Sequence, residues 1–450
     1  MSALLASAPL LLRRRGALAD LLPVLAFAAA TGTIATVVGG ALAFAARLPT
    51  GPLGPDSSAE ESMIGTLVFC AAFASALLLP SAIGFGGSAA RLSLARREQD
   101  LAAMRLVGGT TSQVGGIAVL DVAAQALLGG ILGILGHLAV TPALTGLDFG
   151  ITPFTVGELL LPIWGYPVLL GVMVLLAAGS AAVSLSGVIL SPLGVARDSR
   201  TVRMSVIRVV FWVALILAFV IVWNVLPMLG EATGGGMVVL LIPAALIAAM
   251  VAAINVAGPF LMWVVALAVA ALAPTPSLLV GARRLAADPK AGWRAVAVVT
   301  FAIVVAGMLT VITLLGDPGD EAGRIMITAM RTGGLLTLGI SALLAAVSTG
   351  VTQTARVIDS APRIRAQHIA GAEVSQLHRA RIMEIGIPVA LSSVLGIGTA
   401  LLVLLTVFGG GMSDLRMVVS FLAAVLGAYA LVIAAVLVSS PLVRRAARQA

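Results

Sequence analysis

Residues 91–121 read RLSLARREQDLAAMRLVGGTTSQVGGIAVLD. Four arginines, a glutamate and an aspartate are interleaved with leucine, alanine and methionine at helical spacing, so residues 91–107 form a basic amphipathic helix. Gly108-Gly109 lets the chain leave that helix in a backbone conformation other residues resist. Thr110-Thr111-Ser112 then supplies N-cap residues for a second, apolar helix that carries Asp121. The charged face suits either a soluble partner or anionic lipid headgroups, and the residues alone do not choose between them.

Outward from this stretch the chain is overwhelmingly apolar. Of its 450 residues, 60% are hydrophobic and 10% charged. Soluble domains carry roughly 25% charged residues, so this is an all-α polytopic membrane protein. Ten apolar runs are long enough to cross a bilayer, at about 21–46, 63–90, 114–140, 159–190, 206–229, 237–272, 295–315, 325–352, 382–408 and 417–438. The run at 237–272 is too long for one straight crossing, so it tilts, kinks at Pro259, or divides into two helices. The first run is longer than a signal-peptide core, which marks it as a retained span. Of the 27 basic residues, 23 fall in segments 13–15, 91–105, 197–208, 283–294, 356–381 and 444–448, which alternate with the other loops. The positive-inside rule then places these segments, the N-terminal residues 1–20 and the tail 441–450 in the cytoplasm. The expected site is a bacterial cytoplasmic membrane. Arg47, Arg324, Arg331 and Arg416 stay on the outer side. Arg331 stands about eight residues inside an apolar run; it snorkels outward, or the span begins near Thr332.

A shift of 263 residues superimposes a second, weaker copy of the opening stretch. It sets Gly108-Gly109 on Gly371-Ala372, Ser112-Gln113 on Ser375-Gln376, Asp121 on Glu384 and Arg105 on His368. The expected organisation is therefore a four-span unit at 21–190 with inner helix 91–111, two linking spans within 191–294, and a second unit at 295–440 with inner helix 353–379. Two units in the same orientation make a parallel repeat about an axis along the membrane normal.

Several chemistries find no support. Lys290 is the sole lysine and follows no glycine-rich loop, so no phosphate-binding Walker A sequence exists. His137, His368 and His378 lack companions at metal-ligand spacing, and no metal or resident cofactor is expected. Cys70 is alone and cannot form an intramolecular disulfide. The basic residues are dispersed between spans, which argues against nucleic acid as a partner. Glycines in runs such as 129–136 fit close helix packing better than phosphate binding.

The run RREQDLAAMRLVGGTTSQV at 96–114, followed by Asp121 at the start of the next span, resembles the FtsX-like or MacB-type permeases of ABC transporters. The second copy, PRIRAQHIAGAEVSQLHRARIMEI, departs from the pattern at Ala361 and His368. The doubled layout is similar to the ten-span members that carry both units on one chain, without a large extracytoplasmic domain. The resemblance implies a permease subunit, not itself an enzyme, with ATP and magnesium held by a partner ATPase in two copies. It implies that Arg96, Arg97, Glu98, Arg105, Gly108 and Gly109 dock one ATPase, and Arg363, Arg365, His368 and Gly371 the other. Asp121 and Glu384 are further intramembrane candidates, better suited to packing or docking than to substrate contact. Membrane lipids surround the spans, and a lipid, peptide antibiotic or drug is the expected substrate, exported or extracted from the bilayer. The alternatives are a mechanotransmitter that regulates an envelope enzyme or sensor, and a secondary transporter; the latter lacks charge at mid-membrane depth.

Overall fold

The computed structural model describes residues 21–49, 58–189, 206–233, 238–290, 319–369 and 374–408, with scattered residues of 292–305 and 419–426. Among the described residues there is no strand, and eight helices are long and apolar enough to cross a membrane. They correspond to eight of the ten expected runs; 295–315 and 417–438 fall largely outside the described residues.

The helices, in chain order, are α1 (Leu21–Ala46), α2 (Ala59–Leu106), α3 (Thr111–Leu144), α4 (Val156–Leu159), α5 (Gly165–Ile189), α6 (Val206–Thr233), α7 (Val238–Ala271), α8 (Pro276–Ala287), α9 (Glu321–Ile369) and α10 (Val374–Phe408). One end carries Glu60, Asp148 and Glu158; the other carries Arg283 and the charged ends of the long helices. They are called here the acidic and the basic end.

α1, α2, α3 and α5 form one bundle. On α3, Val114, Ala118, Val122 and Ala126 recur every four residues, and all are buried against Phe27, Ala30, Phe85 and Met173. Where α1 crosses α3 the contact is backbone to backbone. A Cβ on Gly133 would lie 2.5 Å from the Ala28 carbonyl oxygen, and one on Gly129 2.5 Å from that of Val24. The glycines of the 129–136 run thus let two helices meet without side chains between them. A second group joins α7, α8 and α10 through Ile254, Met262, Leu285 and Trp293, with Leu391 and Leu395 of α10 packed against them. Gly258 of α7 receives the Trp293 indole, which would come within 2.1 Å of a Cβ there.

Two elements depart from the sequence reading, and a third takes one of its alternatives. The fourth span starts at Gly165 and not at 159, because Pro162 separates the single turn of α4 from α5. The long run 237–272 is one helix from Val238 that contains both Pro243 and Pro259. The basic loop after it contains an amphipathic helix, α8, started by Pro276 and by the Thr275 hydroxyl, which accepts from the Leu278 N–H at 3.4 Å. Gly281, Ala282 and Leu285 are its buried face, with Arg283 exposed.

The largest departure concerns α2 and α9. Neither ends at the membrane surface. Each continues without a break from an apolar span into the charged segment beyond it, giving helices of 48 and 49 residues. At 1.5 Å per residue each is about 70 Å long, against a hydrocarbon core of about 30 Å. α2 begins 262 residues before α9 and ends 263 before it; α3 begins 263 before α10 and ends 264 before it.

Candidate functional site: two protruding helices and a polar clamp

α2 and α9 pack against each other and run parallel. Ile64 and Leu67 share a cluster with Ile325 and Ala329 near the acidic end, and Leu78 shares one with Leu338 in mid-span. Further on, Ala89, Ala90 and Leu94 share a third with Leu344 and Val351. Beyond Leu94, Met104 stays half-buried against the bundle core, whereas Ala103 and Leu106 are exposed. Leu106 and Val107 are 89% and 90% exposed. They form an apolar tip on a charged helix. The signal was available, since they directly precede the glycine pair.

The turn after that tip is built by specific groups. Gly109 donates its N–H to the Met104 carbonyl at 3.0 Å, and Gly108 has φ of +102°. A Cβ at Gly109 would meet the Met104 oxygen at 2.9 Å. Thr110 closes a capping box: its N–H donates to Gln113 Oε1 at 3.1 Å, and its hydroxyl accepts from the Gln113 N–H at 3.4 Å. The helix therefore ends at Leu106 and not at 111, and α3 starts fresh at Thr111.

For the remaining candidates the description is uneven. Arg96, Arg97, Glu98 and Arg105 lie on the protruding part of α2, and Arg363, Arg365 and His368 on that of α9; for these the helix backbone alone is described. Gly371 lies outside the described residues, so the expected helix 353–379 is observed as the end of α9 and the start of α10. Glu384 lies in α10 at backbone level. Asp121 is half-buried in α3, where its Oδ2 accepts from Gln125 Nε2 at 2.8 Å, one helical turn on.

At the acidic end stands a cluster that the sequence reading did not find. Arg47, just past α1, donates from Nε to Glu158 Oε1 at 2.9 Å and from Nη2 to Glu158 Oε2 at 3.1 Å. Its Nη1 donates to the Thr152 carbonyl at 2.6 Å and to the Thr152 hydroxyl at 2.9 Å, and Nη2 also reaches the Pro153 carbonyl at 3.1 Å. The guanidinium stacks 4.0 Å from the Phe154 ring centre. Glu60 at the start of α2 accepts from the Thr152 hydroxyl at 2.8 Å, tying the α1–α2 and α3–α5 loops together. Phe44, Phe149 and Phe154 pack edge-on beneath. Arg47, with help from the Thr155 N–H, holds the Glu158 carboxyl down at about 2, from an ordinary 4.5. The same loop reaches the other half of the molecule. The Thr332 hydroxyl of α9 donates to the Asp148 carbonyl, and Gly150, at φ +73°, sits against Ile325. Arg47's hydrogen-bond partners lie 105 to 111 residues away, so no local pattern reveals them.

These features define a polytopic helical membrane protein whose spans extend past the bilayer as two paired rods. Residues 72–192 match the family model of the FtsX-like permease C-terminal domain, a stretch that covers most of α2 and all of α3, α4 and α5. Residues 72–192 thus carry an FtsX-like permease C-terminal domain. No curated protein and no solved structure matches it.

Proposed function

We propose that this chain is the membrane half of an ABC transporter of the MacB-type layout, in which two copies of a separate ATPase dock on the protruding ends of α2 and α9. ATP and magnesium would reside in those partners. Nucleotide-driven closure of the ATPases moves the two rods, and the spans carry that motion to the acidic end. The substrate is hydrophobic or amphiphilic, exported or extracted from the bilayer of a bacterial cytoplasmic membrane. In this reading the basic end and both termini face the cytoplasm. The observation that carries the reading is the pairing of two parallel helices, each continuous from mid-span to a charged segment beyond the bilayer. A rigid helix transmits displacement along its axis, which a hinged segment would dissipate.

Co-purification with the ATPase tests it. Arg97→Glu combined with Arg105→Glu reverses two charges on the exposed part of α2. The variant should insert normally and lose the ATPase. A complex that survives this double reversal refutes docking at α2.

A further inference from the structure

A cavity of about 100 Å³ lies among α1, α2, α3 and α9, close to the acidic end. No charged side chain is among the described residues that line it, and its polar lining is Thr36, Ser75, His137 and Thr337. The three hydroxyls are committed to their own helices. Thr36 donates to the Gly32 carbonyl at 2.9 Å, Ser75 to that of Ala71 at 2.7 Å, and Thr337 to that of Gly333 at 2.8 Å.

His137 differs. It is 2% exposed, and its Nδ1 lies 3.1 Å from Thr36 Oγ1. Because Thr36 spends its single proton on Gly32, that hydroxyl can only accept from the ring, so Nδ1 carries the proton. In the neutral imidazole Nε2 is then an acceptor, and it is buried with no partner. Tyr166, whose ring centre is 6.2 Å from the imidazole, carries a second buried hydroxyl without a partner. Buried polar atoms are rarely left unpaired, so each such atom calls for an occupant.

We infer that this cavity binds a neutral amphiphile, which presents a hydroxyl or amide N–H to His137 Nε2 and lays its hydrocarbon against Phe44, Leu78, Leu336 and Ile340. The inference deepens the transport reading and rests on it, by giving the substrate a chemical class. An anionic headgroup does not fit. The nearby guanidinium of Arg47 has its five N–H donors committed to Glu158, Thr152 and Pro153. Room for the chain comes from Gly40 and Gly333, which line the cavity and where an added Cβ would meet no atom within 4 Å.

The test uses the full chain in lipid nanodiscs without ATPase, so that its failure and the failure of ATPase docking are separate results. The probes are a diazirine-bearing long-chain primary alcohol, the matched methyl ketone, which can only accept, and the matched alkane. The alcohol should label peptides containing residues 36–44 and 333–340, roughly three- to tenfold more than the ketone or alkane, the scale of one hydrogen bond. His137→Phe keeps the cavity filled by a ring and should erase the alcohol's advantage while alkane labelling persists, which also shows that the variant folds. Gly333→Val should fill the cavity and abolish alcohol labelling there. Thr36→Val frees the tautomer, and ketone labelling should rise to match the alcohol. Equal labelling by the three probes in the natural protein overturns the inference and assigns the site to a buried water. An alcohol preference that survives His137→Phe or Gly333→Val overturns it as well.

Discussion

Replacing Arg47 by methionine keeps the side chain's length over Phe154 but removes the N–H donors that tie Glu158, Thr152 and Pro153 together. Glu158 sits at about 2 in the folded protein instead of 4.5, with Arg47 the first cause. Taken whole, a depression of that size corresponds to roughly 3 kcal/mol. Water reaches both partners, whose side chains are 16% and 31% exposed, so the contribution falls to about 1 kcal/mol, the upper end for surface pairs. The sign follows from the direction of the shift. A depressed carboxyl stabilises the fold fully above about pH 4.5 and loses that contribution as pH falls through about 2. Thermal unfolding of the natural chain, Arg47→Met, Glu158→Gln and the double variant in nanodiscs measures it. Each single variant should lower the midpoint by about 1–3 °C at pH 7. The double variant should lose less than the two singles together, and the gap for Arg47→Met should narrow between pH 4.5 and 2. Additive losses at pH 7, or a gap as wide at pH 2.5 as at pH 7, refute the clamp.

Four further substitutions test the helix ends and crossings. Gly108→Val places a β-branched residue at φ +102° and should cost about 1–2 kcal/mol, whereas Thr110→Ala removes half of the capping box for about 1 kcal/mol. Both should speed amide hydrogen exchange across 106–114 and leave the rest of α3 unchanged. Gly133→Leu drives a side chain into the Ala28 carbonyl and should lose at least 1–3 kcal/mol, seen as a lower melting midpoint. Gly136→Leu, one turn on in the same helix with open space around it, should melt like the natural protein.

What the sequence revealed and what it hid follow from the range of the interactions. Eight of the spans, the exit at Gly108-Gly109 and the Thr110 cap rest on neighbours within a few residues, and these were legible. The continuity of α2 through 90–91 was not. A switch from apolar to charged residues marks where the environment changes, and helical hydrogen bonds continue across that boundary regardless. The Arg47 clamp was hidden for the opposite reason: its partners are distant in sequence, and Arg47 read as a stray cation on the wrong side of the membrane. His137 was noted as a histidine without metal companions. Its relation to Thr36, 101 residues away, belongs to the tertiary fold.

The contacts of the 146–155 loop also suggest a level at which the bilayer meets the two long helices, which experiment can test. Thr332 bonds to Asp148 and Gly150 rests on Ile325, so α9 is flanked by this loop as far as Thr332. Arg331 therefore stands beside the acidic-end loop, and we propose that the span begins near Thr332. The shared cluster of Ile64, Leu67, Ile325 and Ala329 sets the matching level on α2 near residue 69. A core of about 30 Å takes about 20 residues of helix, which brings α2 out near 89 and α9 near 352. Arg91 and Arg356 follow immediately, and both helices project by about 25 Å further. Equal projection is what the proposed pair of docking arms would require. Single cysteines in a Cys70→Ala background test the levels with a membrane-impermeant maleimide on intact cells. Arg331→Cys should react from outside, Leu78→Cys from neither side, and Arg91→Cys only after the membrane is opened. Protection of Arg331→Cys, or reaction of Arg91→Cys in intact cells, would refute this placement of the bilayer.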